Sequence, residues 1–400
     1  MPELLAPAGN LEKLRFALHY GADAVYLGGE FFNLRDRAGN FTLDEMAEGT
    51  DLAHGLGKKV YLALNVFPHH DDLEAMAVYL PGVAATGIDA VIVADPGVFR
   101  LVQRVLPGMP IHISTQANLI NGDAVAFWED QGARRAVLAR ELPLDEIRWI
   151  RQSTNLELEV FVHGAMCMAY SGRCLLSSFL TGRDANRGDC AQPCRWEYTL
   201  REEKRPGQSF PIIEEGEKTY LLNSKDLNLI RRLPELIAAG VNSFKIEGRM
   251  KSLYYVAAVT RVYRRALDSY RKNPAAYCFR EEWEEELQKV SHRPYTTGFL
   301  LPKEETRRQF TTGADYIQPY DFVGIVTKID GREAMIEARN KIRPGDRIEW
   351  IGPEMKMFET EIKRMQEIDG TPLSCAQPQQ TFVTTPVPPV APFFLLRRKR

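Results

Sequence analysis

Ile111-His112-Ile113-Ser114-Thr115-Gln116-Ala117-Asn118 sets His112, Ser114, Gln116 and Asn118 on one face of a strand at period two. A polar face on an interior strand needs somewhere polar to point, and the open end of a closed barrel supplies it. Phe244-Lys245-Ile246-Glu247-Gly248 repeats the feature with Lys245 and Glu247. Outward from these stretches one pattern recurs: a helical stretch, a glycine, two or three small or polar residues, then a short apolar run. It occurs at Gly21 to Gly28, Gly87 to Asp95, Gly132 to Arg140 and Gly240 to Gly248. The glycine suits the left-handed position that closes a helix, and the apolar run suits a strand buried on both faces. Leu4 to Gly9, Lys59 to Asn65, Ile111 to Ala117 and Leu156 to Gly164 bring the strand candidates to eight. Eight strands alternating with helices over about 250 residues predict an α/β fold, a (β/α)8 TIM-like barrel, against a doubly wound open sheet as the competitor.

Two stretches break the alternation. Roughly 80 residues separate the seventh and eighth strands, following a strand's C-terminal end where such barrels keep their active sites. They hold a cysteine-rich insertion at about 165–222 and a hairpin expected from Trp196 to Arg201 with Lys218 to Leu222. The barrel is expected over 1–310, and a small C-terminal β-barrel domain over 311–400. Within that domain Asp330-Gly331 reads as a hairpin turn and Arg343 to Asp346 as a second turn. The last thirty residues are Pro-rich, end in Arg397-Arg398-Lys399-Arg400, and read as a flexible basic tail.

Composition bounds the function classes. Among 400 residues, 51 Lys and Arg face 53 Asp and Glu for a net charge of -2, so the overall charge does not announce a nucleic-acid binder. Met1-Pro2-Glu3 opens with an acid and a proline where an export signal needs basic and apolar residues, and no apolar run approaches a membrane span. A cytoplasmic chain with reduced thiols is expected. Of six cysteines, Cys167, Cys174, Cys190 and Cys194 cluster in one stretch. In a reducing compartment such clustering points to metal or redox chemistry before disulfides. Four thiolates at these gaps suit zinc or an iron-sulfur cluster, and the spacing alone leaves both open. The chain has no His-Glu-x-x-His helix, Gly-x-Ser-x-Gly elbow, dinucleotide fingerprint or phosphate loop.

Glu159-x-Phe161-x2-Gly164-Ala165-Met166-Cys167-x4-Gly172-x-Cys174-x-Leu176-Ser177 resembles, without a gap, the signature of the collagenase-like, U-type peptidase family. The segments around Arg183 to Trp196, Leu222 to Leu227 and Lys245 to Lys251 look most like its tRNA-hydroxylating branch. The resemblance implies an oxygen-independent tRNA hydroxylase that forms 5-hydroxyuridine at the wobble uridine. It also implies a four-iron four-sulfur (4Fe-4S) cluster on Cys167, Cys174, Cys190 and Cys194, with prephenate as co-substrate and tRNA as partner. Related branches hydroxylate an rRNA cytidine or a quinone ring. A peptidase and a non-catalytic RNA-binding protein with a structural metal are the rival readings.

Prephenate carries two carboxylates, so its site should present fixed cations. Candidates near predicted strand ends are Arg37, Arg140, Lys225, Lys245 and Arg249. Asn65, Gln116, Asn118 and Asn223 are candidates for reading polar substrate edges, and Asp226 is assigned to capping the next helix. His163, Tyr170 and Glu247 are the candidate catalytic residues. His163 is placed as a proton donor or a hydrogen-bond donor beside the cluster, and Tyr170 or Trp196 as a stacking surface for an extruded base. For RNA phosphates the candidates are Arg231-Arg232, Arg261, Arg264, Arg265 and Arg397 to Arg400.

Overall fold

The computed structural model describes residues 1–33, 40–166, 176–183, 190–193, 196, 200–201, 209–210, 225–301 and 316–400. Contacts divide the chain into two units. The first comprises residues 1–18, 22–251 and 292–316, and the second 19–21, 252–291 and 317–400.

The first unit is built on β1 (Glu3–Pro7), β2 (Ala24–Gly28), β3 (Lys59–Leu64), β4 (Ala90–Val93), β5 (Ile111–Ile113), β6 (Arg135–Val137) and β7 (Glu157–Ala165). After two short strands, β8 (Leu200–Arg201) and β9 (Ser209–Phe210), come β10 (Asp226–Asn228) and β11 (Ser243–Ile246). β1 to β7 pair in parallel in sequence order, and β11 pairs in parallel with both β7 and β1, so eight strands close into a barrel. The helices between them are α1 (Leu11–His19), α2 (Leu43–Gly55), α3 (His70–Ala85), α4 (Pro96–Val105), α5 (Gly122–Asp130) and α6 (Leu144–Ser153). α7 (Leu176–Thr181) lies in the insertion, and α8 (Leu233–Ala238) precedes β11. The open-sheet alternative is therefore out. Gly21, Gly87, Gly132 and Gly240 adopt φ of +106°, +77°, +92° and +80°, the left-handed helix-to-strand joints that the repeated pattern requires.

Three local expectations are corrected. The fifth strand ends at Ile113, and Ser114 caps a 3-10 turn over Thr115–Ala117 that closes at Asn118 with φ +55°. Ser and Asn side chains compete for nearby backbone groups, so the polar residues sit in a turn at the strand end instead of alternating along it. In the insertion, β8 pairs antiparallel with β9, so the partner of Leu200–Arg201 is Ser209–Phe210. The expected arm Lys218 to Leu222 lies outside the described residues. Asp226 is a strand residue, not a helix cap: its carboxylate accepts from the backbone N–H of Arg293 at 3.1 Å and from Arg293 Nε at 3.0 Å.

The second unit combines α9 (Leu253–Lys272) and α10 (Glu281–Leu287) with an antiparallel sheet; β12 (Tyr295–Thr296), which falls between them in sequence, belongs to the first unit, where it pairs with β10. The strands of the second unit are β13 (Tyr320–Asp330), β14 (Glu333–Ala338), β15 (Arg347–Ile351), β16 (Met357–Glu361), β17 (Arg364–Gln366), β18 (Thr381–Thr385) and β19 (Leu395–Lys399). They order as β16-β15-β19-β13-β14-β18-β17 around Val326, Ile336, Trp350, Phe382 and Leu396. The turns expected at Asp330-Gly331 and Arg343 to Asp346 are present.

The terminal residues do not form a flexible tail. β19 is an interior strand, and Arg397 is fully buried. Its Nη2 donates to Glu286 at 2.8 Å and to Glu349 at 2.6 Å, and its Nη1 donates to the Tyr254 hydroxyl at 3.0 Å. Arg261 pairs with the same Glu286, Arg264 with Asp268, Arg398 with Asp346 and Arg400 with Asp321. Carboxylates thus engage most of the arginines set aside for RNA phosphates, while Arg265 stays exposed. Among the described residues no helix is long and apolar enough to cross a membrane.

Replacing Arg397 by Met takes from the buried Glu286 carboxylate the arginine that engages both of its oxygens, leaving Arg261 and the more exposed Lys289. The unfolding free energy in urea should fall by about 3–5 kcal/mol. A loss below about 1 kcal/mol, the size of an exposed ion pair, would contradict this placement.

Candidate functional site

The floor of the site is an ion cluster inside the barrel. Glu159, the first residue of the signature stretch, is fully buried on β7 and accepts from Lys245 Nζ of β11 at 2.9 Å and from Arg135 Nη1 of β6 at 2.9 Å. Arg135 continues to Glu3 of β1 at 2.7 Å and to Glu157 at 2.7 Å, and Tyr61 of β3 donates to Glu3 at 2.6 Å. Burial alone would raise the Glu159 carboxyl, but Lys245 and then Arg135 outweigh it and hold it at about 2. Burial, with Arg135 beside the ring, keeps His112 well below its usual value. Lys245, expected to bind substrate, lies beneath the mouth, its charge balanced by Glu159 and its ammonium 4.5 Å from the centre of the Tyr26 ring.

Above this cluster the strand ends form the mouth. Arg140, just past β6, lays its guanidinium over the Phe161 ring at 3.8 Å, donates from Nη1 to the Ala165 carbonyl at 2.8 Å, and stands 3.7 Å from Glu247. Glu247 also accepts from the Tyr26 hydroxyl at 3.4 Å. The structure therefore brings Arg140 and Glu247 together, over a floor that holds Lys245. Gly164 has φ +109°, and a Cβ there would lie 2.6 Å from the Glu247 carbonyl oxygen, so the signature glycine lets β7 and β11 approach closely.

Asn65 follows β3, Asn118 follows the turn after β5, and Arg140 follows β6. At each of these C-terminal ends one buried polar atom has no hydrogen-bond partner among the described residues: Asn65 Oδ1, Asn118 Oδ1 and Arg140 Nε. Buried polar groups are normally satisfied, so three orphans on one rim mark a place shaped for a polar ligand. Gln116 is buried beside them, its Oε1 accepting from Ser114 Oγ at 3.0 Å and its carbonyl accepting from Asn118 Nδ2 at 3.1 Å. Arg249, past β11, donates from Nη2 to Asn33 at 3.0 Å and Asn40 at 2.8 Å, so part of its donor set holds the loop after β2.

The cysteine insertion begins and ends at this same rim. β7 outruns its barrel neighbours, and its last residue, Ala165, pairs antiparallel with Asp226 of β10. Cys167 thus follows two residues beyond a C-terminal strand end, and Lys225 adjoins the point of return. Cys190 is half-buried, and its sulfur accepts from the Gln192 N–H at 3.3 Å, a contact suited to a ligating thiolate. The buried Ser177 that closes the signature holds this loop, its Oγ accepting from the Ala191 N–H at 2.9 Å. Cys167, Cys174, Cys194, Tyr170, Arg37 and Asn223 lie outside the described residues. Among the described residues no group of three or more metal-ligating side chains occurs.

His163 is fully buried on β7, its Nε2 3.5 Å from the Tyr295 hydroxyl, and Tyr295 stacks on His292 with centroids 4.3 Å apart. Burial pushes the imidazole down to about 3 against the pull of Asp226. A neutral ring fits hydrogen bonding and does not fit donation from an imidazolium.

The profile of peptidase family U32 matches residues 9–310, and that of the family's C-terminal domain matches residues 318–397. The chain belongs to peptidase family U32. Among U32 relatives, tRNA hydroxylation protein P1 of Bacillus subtilis is 42% identical over 378 residues, 94% of this chain and 89% of that protein. A 23S rRNA 5-hydroxycytidine synthase of Escherichia coli is 43% identical over 267 residues, 67% of this chain and 39% of that protein. A protein named collagenase from Porphyromonas gingivalis is 32% identical over 382 residues, 92% of this chain and 89% of that protein.

Sequence reasoning missed Arg135, Glu3 and Tyr61 in the floor and Tyr295 and His292 behind His163. Glu159, Phe161 and His163 at period two were the available signal for an inward face on β7. Tyr295 comes from a two-residue strand with no pattern of its own.

Replacing Glu159 by Gln keeps the shape but takes the carboxylate from the buried Lys245 and leaves Arg135 paired with Glu3 and Glu157, and should cost about 3–5 kcal/mol in urea unfolding at neutral pH. Because the folded carboxyl titrates at about 2 against an ordinary 4.5, its contribution is complete above pH 4.5 and lost as pH falls toward 2. The gap between wild type and variant should therefore shrink across that window. A gap that stays constant with pH would contradict the assignment.

Proposed function

We propose that the chain is an oxygen-independent tRNA hydroxylase that forms 5-hydroxyuridine at the wobble uridine, with prephenate as the source of the hydroxyl group. The observation that carries the reading is the 42% identity, across 94% of the chain, to a protein named for tRNA hydroxylation. The similarity to an rRNA 5-hydroxycytidine synthase adds a second relative named for a hydroxylated pyrimidine. The three orphaned polar atoms at the strand ends support a polar small-molecule or base-edge pocket at the mouth.

Cys167, Cys174, Cys190 and Cys194 would hold a four-iron four-sulfur cluster, and the N–H that Gln192 aims at Cys190 suits such a ligand. When bound, the cluster supplies a Lewis-acidic iron or a route for electrons. The remaining work falls to the chain's own groups. Arg140 would turn its free Nε–H to a prephenate carboxylate, with Lys225 and Arg249 as further cations at the strand ends and Arg37 a candidate from the sequence. Stacking on Phe161 fixes the guanidinium plane, so little freedom is lost on binding. Asn65 and Asn118 would accept hydrogen bonds from substrate N–H or O–H groups, and unmatched analogues would leave these oxygens unpaired. The target uridine must leave its stack to reach the mouth, and Tyr170 or Trp196 would hold the extruded base. Glu247, held near Arg140 and the Tyr26 hydroxyl, would accept a proton beside the reacting base. Neutral His163 would orient groups at the foot of the cysteine insertion.

The similarity to a protein named collagenase gives the second reading, a peptidase. One complementation experiment separates the two. Nucleoside mass spectrometry of tRNA from cells lacking the gene should show 5-hydroxyuridine restored by the wild-type chain. Folded Cys174→Ala and Cys190→Ala variants should not restore it, and purified protein should leave gelatin intact. Unchanged nucleosides in the deletion strain, or gelatin cleavage abolished by the same substitutions, would contradict the hydroxylase reading.

A further inference from the structure

Past the C-terminal end of β2 the chain runs Gly28-Gly29-Glu30-Phe31-Phe32-Asn33. Three aromatic rings meet there. Phe31 lies 6.0 Å from Phe32 and 5.8 Å from Tyr79 of α3, and Phe32 lies 5.9 Å from Tyr79, all between ring centroids. Phe32 and Tyr79 are half-buried, while Phe31 is 56% exposed on top of them.

Several features hold the ring in this position. Phe32 adopts φ +61°, a left-handed conformation that a bulky side chain rarely takes. Asn33 is buried, donates from Nδ2 to the Gly29 carbonyl at 2.6 Å, and accepts from Arg249 Nη2, which also reaches Asn40 at the far end of the loop. A Cβ on Gly28 would collide with the Arg249 guanidinium, and one on Gly29 with the Tyr79 hydroxyl. Residues 28–33 are therefore held from beneath and through Asn33, with a phenyl ring left outward on the rim that carries Asn65, Asn118 and Arg140.

A single exposed phenylalanine is ordinary on a protein surface. One presented by a strained neighbour, on a rigid aromatic base and at a candidate substrate mouth, is a different arrangement. Its size selects the partner. A protein interface takes about 800 Å² from each side, several times what one ring offers, whereas one ring matches one base face. The sequence that follows, Leu34-Arg35-Asp36-Arg37, adds two arginines to one aspartate, the charge that a phosphate backbone favours.

We propose that Phe31 is a stacking platform for an unpaired nucleobase of the RNA substrate, adjacent to the base taken into the mouth. This inference rests on the tRNA reading above. It assigns to the loop after β2 a share of loop recognition that is tolerant of base identity, because every base has a π face.

The test is fluorescence anisotropy with full-length protein and two RNAs, an anticodon stem-loop and a fully paired duplex of equal length, at one fixed salt concentration. Phe31→Ala should weaken stem-loop binding by about 5- to 100-fold and leave duplex binding unchanged. Phe31→Trp should bind at least as tightly as wild type, and Phe31→Leu, which keeps apolar bulk without a π face, should bind as weakly as Ala. Wild-type protein that binds the stem-loop, with Ala and Leu variants that bind equally well, would overturn this inference alone. Wild-type protein that binds neither RNA would overturn it together with the tRNA reading. Thermal melting of each variant checks the fold, and the comparison of Leu with Trp decides the case if Ala unfolds.

Discussion

A carboxylate with no solvent exposure, placed between a lysine and an arginine, is stable only when both cations stay in place. Glu159 is that carboxylate, and the requirement ties β7 to β6 through Arg135 and to β11 through Lys245. Arg135 extends the tie to β1 through Glu3, and Tyr61 brings in β3. Five strands of the barrel are thus registered by one charged cluster, and the strand at its centre is the one that runs on into the cysteine insertion. The mouth inherits this order. Phe161 stands two residues above Glu159 and carries the Arg140 guanidinium, His163 stands two further on, and Gly164 lets the strand pass close to Glu247 before Ala165 meets Asp226. The positions of Phe161, His163, Gly164 and Ala165 follow from the fixed register of β7.

Much of this was legible in the sequence because its causes are local. Glycines that must take positive φ, at Gly21, Gly87, Gly132 and Gly240, mark helix-to-strand joints whatever surrounds them. An apolar run of strand length follows each one, and these four strands with four others close into a parallel barrel. Family membership was legible for a related reason, since the signature from Glu159 to Ser177 combines a buried anchor, a close-approach glycine and cysteines at fixed spacing. Asn65, Asn118 and Arg140 were legible as strand-end polar residues, the positions where a barrel gathers its site.

The misreadings share one physical origin, the long-range pairing of charges. Arg261 and Arg397 read as cations open to phosphate because nothing near them in the chain reveals Glu286 or Glu349. Asp226 read as a helix cap because Arg293, its partner, lies far along the chain. Lys245 read as a substrate cation, and Glu159 of another strand neutralises it inside the barrel. The stretch Ile111 to Asn118 led to the right fold through an incomplete premise. Ser114, Gln116 and Asn118 do lie at the strand end, in a 3-10 turn, because Ser114 and Asn118 satisfy nearby backbone in a way a strand would not allow, while His112 stays on the strand beside the buried cluster.

In the proposed reading a rim fixed by buried charge would place an iron-sulfur centre, on four thiolates, beside a pocket for an anionic co-substrate. Iron and acid-labile sulfide analysis of anaerobically purified protein addresses that claim most directly. The account predicts about four iron and four sulfide per folded chain, the content of a single cluster held by four cysteine thiolates. Stoichiometric zinc without sulfide, or a folded chain that carries neither metal, would contradict it.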